Sequence, residues 1–247
     1  MRRFFIFLLF VLSTFSASAQ IGEHRNDLSI GFNAGYVLSN ISFTPKVTQS
    51  MHSGFSGGFT FRYVCEKYFN SICAIQAELN YSMIGWKEKI LDAKDATILN
   101  DKGEPMTYAR DLNYIQLPIL ARLGWGKEEK GFQFFFQAGP QFGLYISDKE
   151  KTNFTIAYAK EHITERSNQT IAQDTMSVAN KLDYGITAGL GVEYSIPHAG
   201  HILFEGRYYY GLGDIYGNSK RDYFSRSNLG NIILKMTYLF DITKTKK

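Results

Sequence analysis

Eight charged residues of this chain stand where chemistry could be done, because each falls among Gly, Ser, Thr, Asn and Gln on the polar side of an alternating segment. They are Arg62, Arg122, Arg207 and Lys235, against Glu78, Asp183, Glu193 and Glu205. Carboxylates beside cations can serve acid–base catalysis, or they can neutralise one another inside an enclosed space. The four-against-four balance favours the second use, since a buried charge must be paired to offset its desolvation. Glu193 and Arg207, on consecutive segments, are the expected leading pair, with Tyr114, Gln137 and Tyr209 as polar neighbours. The histidines His24, His52, His162, His198 and His201 are scattered, with no metal-ligand or nucleophile–base spacing, and read as solvated loop residues. Gly189 and Gly191 form GxG inside a strand pattern and not at a strand-to-helix turn, so they do not read as a nucleotide loop. They are expected to leave room for bulky neighbours such as Arg207 or to relieve barrel curvature. The sequence thus offers no catalytic, cofactor-binding or metal-binding constellation, and an enzyme is not expected.

The elements that carry these residues alternate with period two. In Leu182–Ser195, Tyr184, Ile186, Ala188, Leu190, Val192 and Tyr194 form one set, and Asp183, Gly185, Thr187, Gly189, Gly191, Glu193 and Ser195 the other. Successive strand side chains point to opposite faces, so this is a strand between an apolar and a polar environment, with tyrosine at both ends of its apolar face. Seven further segments repeat the pattern. Their apolar sets begin at Leu28, Phe55, Ile75, Ile115, Phe132, Ile202 and Ile232. Pro118, which has no ladder donor, predicts a bulge or an irregular pairing in the fourth strand.

Residues 1–19 open with Arg2 and Arg3, run through FFIFLLFVL and end in Ala17-Ser18-Ala19, the three-part pattern of a cleaved signal peptide. Cleavage after Ala19 removes two positive charges and lowers the formal net charge from +4 to +2, which argues against a nucleic-acid partner. No later apolar run approaches the length of a membrane-spanning helix. In an exported chain, the pair Cys65 and Cys73, flanking a short connection, predicts a disulfide.

Connection lengths alternate. Those at Asn40–Ser53, Lys87–Thr107, Asp148–Lys181 and Leu212–Ser227 are long; those at Glu66–Ile72, Gly126–Gly131 and Pro197–Gly200 are short. This is the pattern of an all-β fold, an eight-stranded antiparallel transmembrane β-barrel with long extracellular loops and short periplasmic turns. The expected organisation is a signal peptide (1–19), a short periplasmic segment (20–27), the barrel (28–240) and a periplasmic tail (241–247). ATILNDKGEPMTYA predicts a hairpin tip at Asn100–Gly103. NFTIAYA, Asn153–Ala159, has strand composition, which would allow ten strands, but it lacks an apolar partner segment and eight is preferred. The Asp148–Lys181 connection reads as a solvated loop, with a partner-binding surface as the alternative. A lipocalin also has eight strands, but its wet face would be studded with Lys and Glu, whereas this polar set is mostly Gly, Ser, Thr, Asn and Gln. The apolar set is therefore expected to face lipid, and the polar set to fill a narrow lumen.

The segments LNYIQLPILARLG, FQFFFQAGPQFGLYI, YGITAGLGVEYSI and FEGRYYYGLGDI, in this order and spacing, resemble blocks of the PorT-like outer-membrane β-barrel family of the Bacteroidota. The resemblance spans nearly all of residues 28–240. It implies the outer membrane of a Gram-negative bacterium as location, a possible link to protein secretion, and no catalytic motif. The expected role is that of a monomeric structural or interaction protein, in contact with outer-membrane lipid and binding a protein partner through its loops or turns. A small pore or transporter is the alternative, and a barrel hydrolase the third reading. No cofactor is expected.

Overall fold

The computed structural model describes residues 22–217 and 223–245; the expected signal peptide lies outside them. Its strands are β1 (Glu23–Thr44), β2 (Gln49–Ser50), β3 (His52–Tyr68), β4 (Ser71–Lys89), β5 (Thr107–Gly126), β6 (Gly131–Thr152), β7 (Leu182–Ile196), β8 (Gly200–Asp214) and β9 (Arg226–Thr243). β2 is a two-residue ribbon on β4. The other eight pair antiparallel in the order β4-β3-β1-β9-β8-β7-β6-β5, and a β4–β5 ladder closes the ring. Closure removes both sheet edges, so strand backbone groups are satisfied inside the wall, as a membrane requires.

The barrel is longer than the expected 28–240. β1 starts at Glu23, and β9 continues to Thr243. The early start follows from pairing, because the Glu23 and His24 positions meet Lys67 and Glu66 of β3 across a bulge. The tail folds back in the same way, the Thr245 amide donating to Asp27 Oδ1 at 2.5 Å.

Outward and inward sets separate as the alternation predicts. Phe32 and Leu190 are 59% and 69% exposed, whereas Gln137 and Thr187, on the other face, are 0% exposed. An apolar band of this size on the outside is a lipid face, and a lipocalin arrangement is excluded. Among the described residues no helix is long and apolar enough to cross a membrane, so crossing falls to the strands.

Pro118 acts as expected. Pairing with β4 lapses between Ala77↔Ile119 and Asn80↔Gln116 and resumes in unchanged register. The short connections are tight: Phe69 and Asn70 alone join β3 to β4, and Phe69 takes the left-handed φ of 49° that the turn requires. At the other end the expected tip at Asn100–Gly103 is present, closed by the Gly103 amide on the Asn100 carbonyl with Gly103 at φ 76°. NFTIAYA is not a strand. Thr155 caps a helix, Ile156–Glu161, its hydroxyl accepting from the Tyr158 amide at 3.2 Å.

The expected Cys65–Cys73 disulfide is absent and both thiols are free. A bulge between Val64 and Glu66 displaces Cys65 from the ladder, so that Glu66 and not Cys65 stands across from Cys73.

Candidate functional site

The lumen charges gather in two layers, each spanning the barrel. In the middle layer Glu78 of β4 faces β8, four strands away round the ring. Arg207 grips it with both ends of the guanidinium, Nη1 donating to Oε2 at 2.9 Å and Nη2 to Oε1 at 2.5 Å. Lys235 of β9 donates to the same carboxylate. Arg207 Nη2 also lies 2.6 Å from Glu205 Oε1, and Gln137 donates to the other Glu205 oxygen. Gln76 and Asn80 complete the shell of Glu78 at 2.8 and 2.9 Å. Two cations therefore balance two carboxylates, with the charged hydrogen bonds directed across the lumen.

Nearer the short turns, Glu193 of β7 is the hub of the second layer. Its Oε2 accepts from Arg62 Nη1 at 2.7 Å and from Arg122 Nη2; its Oε1 lies 2.6 Å from His201 Nδ1. The Arg122 guanidinium carbon sits 3.9 Å over the Phe135 ring, a cation–π contact in a dry site.

The expected Glu193–Arg207 pair does not form. Arg207 stands opposite Gly189, and Glu193 opposite Leu203. Four residues of β7 thus separate the two levels, roughly 13 Å at strand rise. Gly189 does leave room for Arg207 as expected: a Cβ there would approach Arg207 Cγ to 2.7 Å. Asp183 belongs to neither layer. It accepts from the Tyr209 hydroxyl at 2.6 Å, nearer the long loops and away from the lumen cations.

Two histidines read as solvated are instead buried. His52 Nε2 lies 2.6 Å from Asp111 Oδ1. His201 touches Ser195 Oγ at 2.9 Å through Nδ1 and Asp241 Oδ1 at 3.0 Å through Nε2, a serine–histidine–aspartate chain that sequence spacing did not reveal. It is not arranged as a nucleophilic triad. Glu193 Oε1 competes with Ser195 for Nδ1 at 2.6 Å, and Asp241 holds Nε2, so Nδ1 is not left to serve Ser195 alone as a base. Ser195 is itself buried. Histidines and acids were visible in the sequence, but their meeting depends on β8 and β9 register.

At the long-loop end the lumen is closed by an apolar cap. Trp86, Tyr108, Ile84 and Leu112 project inward from the extended strands and pack with Phe43, Tyr216 and Phe224. The 153–181 connection, expected to be a solvated loop, adds Phe154, Ala159 and Ile171 to this core. Arg166 donates to Asp174 Oδ2 at 2.9 Å, and Gln173 to Glu88 at 3.0 and 3.1 Å, so the cap also has a buried polar clasp. Among the described residues, no group of His, Cys, Asp and Glu has the arrangement to hold a metal ion.

The family model described as "Outer membrane protein beta-barrel domain" matches residues 18–217. The chain belongs to this family. None of the curated proteins matches. Among solved structures, the chain is similar to the attachment invasion locus protein Ail of Yersinia pestis, at 14% identity and TM-score 0.37 over 88% of this chain and 99% of that one. It is also similar to Neisserial surface protein A, at 10% identity and TM-score 0.41 over 86% and 97%. Similarity to OprG from Pseudomonas aeruginosa is 15% identity and TM-score 0.42 over 89% and 98%.

In this outer membrane barrel, the cap clasp makes a pH-dependent contribution. Burial, then the neighbouring Glu88, push the Asp174 carboxyl up to about 8, against the pull of Arg166. A carboxyl raised on folding favours the folded cap below the ordinary carboxylate range, and that contribution is lost as pH rises through the raised value. Hydrogen exchange of residues 153–181 should therefore quicken relative to the barrel wall between pH 5 and about 9. Asp174→Asn should flatten the trend; an unchanged slope in that variant would assign the dependence elsewhere.

Proposed function

We propose that this outer membrane barrel is a monomeric structural and interaction protein, its long loops outside the cell and its short turns in the periplasm. The reading is carried by the closure of the lumen. Two layers of cross-lumen ion pairs lie beneath an apolar cap built from Trp86, Tyr108, Tyr216 and Phe224. A conduction path would have to unmake buried charge pairs whose separation is costly. What the barrel then presents is an ordered loop surface on a rigid scaffold, the usual place for partner binding. The exposed Lys160 and Glu161 of the cap helix lie on that surface. Membership of the PorT-like branch, and through it a link to protein secretion, is supported by the four blocks named above. Export through a signal peptide cleaved after Ala19 belongs to the same reading, and a mature terminus at Gln20 checks it.

The test has two arms. Purified protein in planar bilayers should show no stable large conductance; a steady open-pore current would overturn the plugged lumen and favour the pore or transporter. Crosslinking in intact outer membranes should give a discrete adduct that is lost in the charge reversal Lys160→Glu/Glu161→Lys while the heat-modifiable gel shift persists. An adduct indifferent to that reversal would move the contact off the cap.

A further inference from the structure

At the short-turn end the lumen holds a half-open cavity of about 250 Å³. Its floor is the Glu193 layer, where charge does not balance. The Arg62 and Arg122 guanidinium groups converge on one oxygen of Glu193, and the other oxygen is taken by His201. Asp241 is in turn shared among His201, Lys244 and Ser29. Two carboxylates thus serve Arg62, Arg122 and Lys244 as well as the His201 ring.

Donors are left over as well. Among the described residues Arg122 Nη1, Arg62 Nε and Arg25 Nε have no acceptor, although these three side chains are only 3–4% exposed and all line the cavity. Buried guanidinium N–H groups without acceptors are costly, and an acceptor-bearing ligand would satisfy them. The wall beside them is apolar, formed by Val64 of β3 and Ile72 and Ala74 of β4, with Ala74 across the ladder from Arg122. At the rim stand Asp27, Glu128 and Glu129, whose charge disfavours a multiply charged anion such as phosphate.

We propose that this cavity binds a small organic monocarboxylate with a short apolar chain, its carboxylate received by Arg122 and Arg62 and its chain laid against Val64, Ile72 and Ala74. A planar carboxylate matches the guanidinium fork, and the bound anion would offset the surplus cation of the floor. The site goes beyond the interaction role, because it opens at the end opposite the loop cap and needs no passage through the lumen.

Hexanoate titrated into the full chain in nanodiscs, against empty discs, is the test. Calorimetry should show saturable binding, with hexanol and inorganic phosphate at least tenfold weaker. The methyl resonances of Ile72 and Ala74 should move along the same saturation curve while that of Ile84, in the cap, stays fixed. Ala74→Trp, beside Arg122 in the β4–β5 ladder, fills the cavity and should weaken hexanoate binding at least tenfold. The wild-type methyl shifts decide the matter independently should that variant not fold. Absence of saturable binding, equal binding of hexanol or phosphate, or unshifted Ile72 and Ala74 methyls would overturn the assignment.

Discussion

Replacing Arg207 by methionine should lower the unfolding free energy by about 3–5 kcal/mol, the cost of leaving one member of a buried charge cluster without its partner. The stranded group is Glu205. Glu78 keeps Lys235, Gln76 and Asn80, whereas Glu205 loses its contact at 2.6 Å and keeps Gln137 as its hydrogen-bond donor, with Lys235, already bound to Glu78, opposite it in the β8–β9 ladder. Adding Glu205→Gln to Arg207→Met should therefore recover most of the loss, because both charges then leave together. Adding Glu193→Gln should not. It would remove the acceptor on which Arg62 and Arg122 converge and add a second loss to the first. Urea unfolding of the wild type and these three variants, followed by the gel shift of the folded barrel, separates the outcomes. Rescue by Glu193→Gln, and none by Glu205→Gln, would show that the two layers are not built as described.

Why this pairing escaped the sequence is a matter of register. Alternation gives each residue a face, because period two is a local property, and all eight charges lie buried on the inward side that it gives them. Which of them meet depends on stagger around a closed ring, where Glu78 finds Arg207 four strands away and Arg62 finds Glu193 across the same distance. No local signal encodes that. The cap was partly legible and was missed. Along β1 the inward set passes from Ser29 and Asn33 to Val37, Ile41 and Phe43, and along β4 from Gln76 and Glu78 to Ile84 and Trp86. A lumen-facing set that turns apolar towards the long loops signals a core beyond the bilayer. In the 153–181 connection, charges such as Lys160, Glu161 and Glu165 masked Phe154, Ala159 and Ile171, and only packing against Trp86 and Tyr216 gives those apolar residues a common side. The buried histidines belong to the same class of miss, since His201 meets Asp241 only through the β8–β9 ladder.

Leu190→Arg should cost about 2–4 kcal/mol in a bilayer, the penalty for a cation near the middle of the lipid face. Leu190 is 69% exposed on the outside of β7, opposite Phe136 on one side and Gly206 on the other. Replacement by Arg puts a guanidinium among lipid chains, where the neighbouring outward residues Phe134, Phe204 and Leu234 offer no acceptor. The effect should scale with depth, so Ile202→Arg, close to the turn after β7, should cost about 0–1 kcal/mol. Thr187, three residues before Leu190 on the same strand, faces the lumen and is fully buried. A cation there would lie near the Arg207 level, so its cost should depend on the lumen carboxylates and not on the lipid. Thickening the bilayer separates the two cases. The Leu190→Arg penalty should grow with acyl-chain length, and that of Thr187→Lys should stay constant. A Thr187 penalty that tracked bilayer thickness as Leu190 does would invert the assignment of the two faces.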